Sequence, residues 1–135
     1  MAVQLSSPTG LMPAPYHHVS VATGSRLVHV AGQVARDGDG RALANGDLAG
    51  QVAGALRNVG RALAGAGATF ADVAQLRFYV ARWQPEMMAD LMAGIEAVLG
   101  ELALPQPLPP SSLIGVDRLY EPDVLVEVEA TAVVE

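Results

Sequence analysis

The sequence predicts a single α+β domain over residues 1–135, a mixed sheet with two helices on one of its faces. Three observations predict it. Two stretches, Leu48 to Leu63 and Pro85 to about Leu99, repeat apolar residues at helical spacing, whereas the runs around them alternate with the period of a strand. The resulting order is two strands, helix, strand, helix, two strands, with no internal repeat and no second-domain boundary. Finally, 135 residues with 51% hydrophobic and 16% charged content suit one core. A chain of that length removes roughly two-thirds of its unfolded surface from water.

The same composition narrows the function. The formal charge is −6, and the eight basic residues, all arginines, are scattered among fourteen acids. No cationic stripe is available to neutralise phosphates, so nucleic acid is not an expected partner. Without cysteine there is no disulfide, thiol nucleophile or thiolate metal site. The chain opens on no basic segment followed by an apolar one, and no apolar run approaches eighteen residues. A cytoplasmic protein without membrane contact is expected.

In chain order, the first 15 residues, and 1–12 above all, read as a loop or loosely held arm, given Ser6, Ser7, Pro8, Gly10, Pro13 and Pro15. Strands follow at Tyr16–Ala22 and Arg26–Val34, joined as a hairpin through Thr23-Gly24-Ser25. Alternation in the second sets Val28, Val30, Gly32 and Val34 on one face and Leu27, His29, Ala31 and Gln33 on the other. Asp37-Gly38-Asp39-Gly40 has the acids of a calcium loop. Ala42, however, falls where that loop needs its glycine, and Leu48 where it needs its last glutamate, so a turn is expected. Asn45-Gly46-Asp47 makes a second turn with Asp47 as helix N-cap.

The first helix buries Leu48, Val52, Leu56, Val59 and Leu63, leaves Arg57 and Arg61 solvated, and stops at Gly65 and Gly67. Gly50, Gly54 and Gly60 weaken it, so packing on a sheet must hold it. Gly65-Ala66-Gly67 does not extend into a dinucleotide fingerprint, because Phe70 follows and no helix starts there; no cofactor is expected. In the strand Val73–Ala81, Ala74, Leu76, Phe78 and Val80 oppose Gln75, Arg77 and Tyr79. Pro85 opens the second helix, whose Met88, Leu91, Met92, Ile95, Val98 and Leu99 read as core.

After Pro105, Pro107, Pro109 and Pro110 comes Ser111 to Leu119, a turn at Glu121-Pro122-Asp123, and a strand from Val124 to Val133. Val124, Val126, Val128, Ala130 and Ala132 share one face, and Leu125, Glu127, Glu129, Thr131 and Val133 the other. The two glutamates either form a solvated sheet face or include one that lines a pocket. His17 and His18 point to opposite faces, so only one can reach a given pocket, and with His29 they lack a metal-ligand spacing. Ser111 and Ser112 have no nearby base in sequence to make a nucleophile.

With these residues placed, the chain from about Pro13 onward resembles the reactive intermediate deaminase family, RidA or YjgF-like. Pro15-Tyr16 is similar to its Gly-Pro-Tyr segment, and Val30-Ala31-Gly32-Gln33 to its Val-Ser-Gly-Gln. Gln51, Leu56, Asn58, Leu63, Gly67, Asp72 and Val73 follow its central pattern. Gly115-Val116-Asp117-Arg118-Leu119 with Val126-Glu127-Val128-Glu129-Ala130 resembles its C-terminal signature.

The resemblance implies a chorismate-mutase-like fold and a homotrimer whose sheets form a central barrel, with small-molecule sites between subunits. It implies catalysis by Glu127, which would position the water that hydrolyses an imine, and substrate binding by Tyr16, Ala31, Gly32, Ser111 and Ser112. It implies no metal and no cofactor. In the family's deaminases an arginine in a Pro-x-Arg-Ser context clamps the substrate carboxylate; here that position is Ser111, in Pro109-Pro110-Ser111-Ser112. A hydroxyl cannot replace a bidentate guanidinium, and losing such a charge pair removes on the order of 2–5 kcal/mol of binding. The expected activity is hydrolysis of a neutral imine, enamine or similar reactive intermediate, not of the standard 2-iminoacids. The alternatives are a non-catalytic metabolite-binding or regulatory trimer and the endoribonuclease activity that some members carry by name.

Overall fold

The chain runs β1 (Val3–Ser6), β2 (Val19–Ala22), β3 (Arg26–Gln33), α1 (Leu48–Gly65), β4 (Val73–Ala81), α2 (Met88–Val98), β5 (Ser111–Val116) and β6 (Val126–Val134) in the computed structural model, which describes residues 3–135. The main sheet has the order β3-β6-β4-β5. Strand β6 is antiparallel to both neighbours, and β4 and β5 are parallel. Parallel strands need a long crossover, and α2 supplies it between β4 and β5.

Both helices cover one sheet face, as the apolar spacing predicts. Val126, Val128, Ala130 and Ala132 of β6, with Leu76, Phe78 and Val80 of β4, are buried in one cluster with Val52, Leu56, Val59 and Leu63 of α1 and Leu91, Ile95 and Val98 of α2. The helices meet at Gly94, where a Cβ would fall 2.5 Å from the Ala49 carbonyl oxygen. Asp47 caps α1 by accepting from the Gly50 N–H at 3.0 Å. Asp37 closes its turn by accepting from the N–H groups of Asp39 and Arg41.

Two side-chain amides fix the strand ends that matter most below. Gln51 is 3% exposed; its Nε2 donates to the Asp123 carbonyl at 3.0 Å, and its Oε1 accepts from the Leu125 N–H at 2.9 Å. It thereby ties the approach to β6 onto α1. The Asn58 Nδ2 donates to the carbonyls of Val34 and Arg36, tying down the exit from β3. Amides satisfied this way, Gln51 buried and Asn58 half-buried, hold backbone with little freedom.

The N-terminal half departs from the sequence expectation in four ways. Residues 3–6 are a strand, with Val3 buried. Strand β2 begins at Val19, while Tyr16 makes only a single parallel bridge with Leu108. There is no β2–β3 hairpin, because β2 pairs with β1. Gly24 serves a close approach: a Cβ there would lie 2.6 Å from the Val134 carbonyl oxygen, so the chain passes tightly over the end of β6. Lastly, β3 is bulged between Val30 and Gln33, which breaks the strict alternation assumed for Gly32. On α1, Arg57 is ion-paired to Glu101 at 2.8 Å as well as partly solvated.

Candidate functional site

The outer face of the sheet is built in rows. Tyr79 on β4 stands opposite Glu127 on β6 and Ile114 on β5; Arg77 stands opposite Glu129 and Ser112. Residues directly opposite share a face, so one row reads Ile114, Tyr79, Glu127 and the next Ser112, Arg77, Glu129. At the β3 end the bulge sets Ala31 and Gly32 together against β6 and turns Gly32 toward Glu127. A Cβ on Gly32 would sit 2.5 Å from the Glu127 Cδ, so the bare glycine is what lets this carboxyl lie against β3. Gly32 therefore belongs with Glu127, not on the face of Val28 and Val30.

The two glutamates have different surroundings. The Tyr79 hydroxyl donates to Glu129 Oε1 at 2.5 Å. That hydrogen bond, followed by burial, pushes the Tyr79 phenol above the ordinary tyrosine range. Glu129 stands on an interior strand, because β6 lies between β3 and β4. Among the described residues, no hydrogen bond or ion pair engages the Glu127 carboxyl, which is half-buried. Burial pushes it above the usual carboxylate range, and the nearby Glu129 charge adds to the effect. Arg77 donates to Gln75 Oε1 at 2.9 Å and forms no ion pair among the described residues.

On the helix side, beside β5, lies a cleft of about 470 Å³. Met12 and Tyr16 form one wall, Met88 and Met92 another, and Ser111 and Leu113 the edge; no charged side chain lines it. Its walls are held by the backbone. Leu108 donates to the Pro15 carbonyl and accepts from the His17 N–H at 2.7 Å, and His18 Nε2 meets the Met12 carbonyl at 2.7 Å. The Tyr16 and His18 rings lie 5.3 Å apart. Ser111 Oγ already donates to the Pro109 carbonyl at 2.8 Å. His17 Nδ1 is buried without a hydrogen-bond partner among the described residues.

Two expectations change here. Of the two α2 methionines expected in the core, Met88 is 43% exposed and forms a cleft wall, whereas Met92 packs partly buried against the core while it also lines the cleft. Their spacing matches the core positions of α2 because the apolar stripe continues past the sheet edge into the cleft. Secondly, the six expected site residues fall into two groups. Ala31, Gly32 and Glu127 gather on the outer face near β3. Tyr16, Ser111 and Ser112 gather at the cleft. Ser111 stands opposite Leu76, a core residue, so its side chain and that of Glu127 lie on opposite faces with β4 between their strands. Within one chain they cannot touch the same ligand. Ser112 sits at the edge between the groups, on the cleft rim and opposite Arg77.

Tyr79 and Arg77 have no role in the sequence reading beyond their place on the outward face; only the register of three strands shows them beside the glutamates. Among the described residues no three His, Asp or Glu side chains gather to hold a metal ion, and no helix is long and apolar enough to cross a membrane.

Comparison with known proteins adds the following. The family model described as endoribonuclease L-PSP matches residues 10–134. Among solved structures, the chain is similar to YyfB of Yersinia pestis, a protein of unknown function of the conserved Rid protein family: 34% identity over 99% of this chain and 100% of that one, TM-score 0.89. It is similar to Rv2704 of Mycobacterium tuberculosis, a member of the YjgF/YER057c/UK114 family, at 31% identity over 98% and 99% of the two chains, TM-score 0.61. It is also similar to TdcF of E. coli, solved with bound serine, at 25% identity over 96% and 94%, TM-score 0.69. Among curated proteins none matches the sequence.

Proposed function

The chain belongs to the endoribonuclease L-PSP family, that of the Rid and YjgF proteins, and from that premise we propose that it is a homotrimeric hydrolase of a neutral imine or enamine. Its pocket forms between subunits, where the outer face of one chain, with Glu127, Gly32 and Ala31, meets the cleft of a neighbour, with Tyr16, Ser111 and Ser112. The observation that carries the reading is the unpaired, half-buried Glu127 carboxyl, whose proton affinity is raised toward the range a general acid–base group needs. Water adds to the C=N carbon as Glu127 takes one of its protons and passes it to nitrogen, giving the carbinolamine. Glu127 then relays the hydroxyl proton to nitrogen as the C–N bond breaks, leaving a carbonyl compound and ammonia.

The uncharged lining of the cleft supports a substrate without a carboxylate there. Ser111 offers no guanidinium, and its hydroxyl is already committed to Pro109. A second reading, a trimer that binds a small metabolite without changing it, draws on the serine held by TdcF. The ribonuclease activity in the family's name has the least support, with a net charge of −6 and two of the arginines, Arg36 and Arg57, committed to Asp123 and Glu101.

The test joins mass and chemistry. Light scattering should give near three times the 14.0 kDa chain. Semicarbazide trapping should show faster decay of a neutral imine than of the iminoacids made from serine or threonine, and Glu127→Gln should lower that rate by about 10²-fold or more with the trimer intact. A stable monomer would sink the trimer, and full turnover in the Gln variant would leave Glu127 a structural residue. Modestly altered affinity with no turnover in either protein would establish the binding one.

A further inference from the structure

The outer face holds two glutamates two residues apart on β6, and they are not equivalent. We propose that Tyr79 and Glu129 are positioning residues for Glu127: the Tyr79 hydroxyl ties down one carboxylate so that only the other exchanges protons with the ligand. The proposal rests on the reading of Glu127 as the proton-transfer group. Three features of the geometry carry it. Tyr79 is the cross-strand partner of Glu127, yet its hydroxyl reaches diagonally to Glu129 Oε1. Arg77, the cross-strand partner of Glu129, is turned to Gln75 and neutralises neither glutamate by direct contact. Gly32 leaves the Glu127 carboxyl room that no other residue type would leave.

The chemistry follows from that division. Side chains two apart on a strand are separated by roughly 6.6–6.8 Å, close enough for one carboxylate to oppose ionisation of the other. A freely rotating Glu129 could swing away and be screened by water. Anchored by a phenol, it keeps its charge at a fixed place beside Glu127, and Glu127 holds its proton longer as a result. The other groups facing Glu127 are few. Arg77 lies on β4, His29 on β3 opposite Thr131, and the β5 residues of these rows, Ser112 and Ile114, do not titrate.

The experiment is a carbon-13 NMR titration of the carboxyl carbons in the whole glutamate-labelled protein, compared with Glu129→Gln, Tyr79→Phe and the double variant. Glu129→Gln should lower the Glu127 midpoint by about 0.5–2 pH units, the span that screened Coulomb attraction or repulsion gives at this separation. Tyr79→Phe should lower it less, and the double variant should match Glu129→Gln alone, because Tyr79 acts through Glu129. The acid limb of the turnover profile should move with the midpoint. An unmoved midpoint in Glu129→Gln, or effects of the two changes that simply add, overturns the proposal.

The titration separates this idea from the reading beneath it. If Glu127→Gln keeps full turnover, the catalytic role fails while the coupling is still read by NMR. Should a variant fail to fold, ultraviolet titration of the wild-type protein decides: the Tyr79 phenol should ionise above the ordinary tyrosine range, and ionisation within that range overturns the hydrogen bond on which the proposal stands.

Discussion

The two sides of this sheet divide the properties of a binding site between them. On the outer face, β4 and β6 present Arg77, Tyr79, Glu127 and Glu129, ionisable groups in fixed register on rigid strands but with open space above them. On the helix side, the arm around Tyr16, the methionines of α2 and the edge of β5 enclose about 470 Å³ with no charged side chain in the lining among the described residues. One region has reactive groups without walls, and the other has walls without reactive groups. Binding sites ordinarily combine the two, a mostly apolar enclosure with a few placed polar groups. Under the proposed function a second copy of the chain resolves the difference, bringing the outer face of one against the cleft edge of another.

The most drastic way to break that complementarity is to prevent the copies from meeting. Leu27 and Ile114 lie on the outer face and are 62% and 37% exposed, more apolar surface than a charged sheet face needs in a monomer. Ile114→Glu adds a second carboxylate to the row of Tyr79 and Glu127, a third beside Glu129 of the next row. It should abolish the trimer and with it all turnover, while circular dichroism shows the same α+β fold. Light scattering that still reports a trimer with turnover intact would place the interface elsewhere.

A finer test moves one group and leaves the rest. Gly32→Ala puts a Cβ where the Glu127 side chain now lies, 2.5–2.6 Å from three of its atoms. The glutamate is flexible and its backbone is held by β6, so the fold accommodates the change by displacing the carboxyl. A displacement of about 1 Å at a reacting group can lower a rate by about 10²-fold, and a loss of 10- to 10²-fold in turnover with little change in melting temperature is expected. A loss confined to KM would instead mark Gly32 as a ligand contact.

The sequence made the frame of this comparison legible and hid its joints. Helical spacing gave both helices, and alternation gave the buried and outward faces of β6 and of β4 from Leu76 to Val80, where each face meets a uniform environment; at the start of β4 a bulge buries Val73 and takes Ala74 out of the core face. The Asp47 cap and the Asp37 turn were legible for the same reason, being local hydrogen bonds. What stayed hidden depends on contacts distant in sequence. The pairing of β1 with β2 joins Val3 to Ala22, nineteen positions on; the bulge at Ala31-Gly32 is set by the register with β6, and the bond from Tyr79 to Glu129 by residues fifty positions apart. The cleft was missed because Met88 and Met92 keep helical spacing; their exposure depends on where the sheet ends.

The smallest expected effect is the pH dependence of stability, which separates the two regions without any substrate. The Glu127 carboxyl binds its proton more tightly in the folded chain than in the unfolded one. The folded state therefore holds more protons between the unfolded value, about 4.3, and the higher folded value, and stability must fall as pH rises through that window. Below the window both states are protonated, and the contribution is fully present. Asp123, bonded to Arg36, and Glu101, bonded to Arg57, have the opposite sign: their carboxyls are held below the usual range, so their contribution is present above the unfolded value and lost in acid. The cleft has no carboxyl or imidazole in its lining among the described residues and adds nothing to either limb. Melting temperature should thus climb out of the acid range and then sag slightly above it. Glu127→Gln should remove the sag and leave the acid limb untouched, whereas Ser111→Ala should change neither. A sag that survives in Glu127→Gln would mean that the outer face does not oppose ionisation at this residue, and the contrast between the two sides of the sheet would lose its electrostatic half.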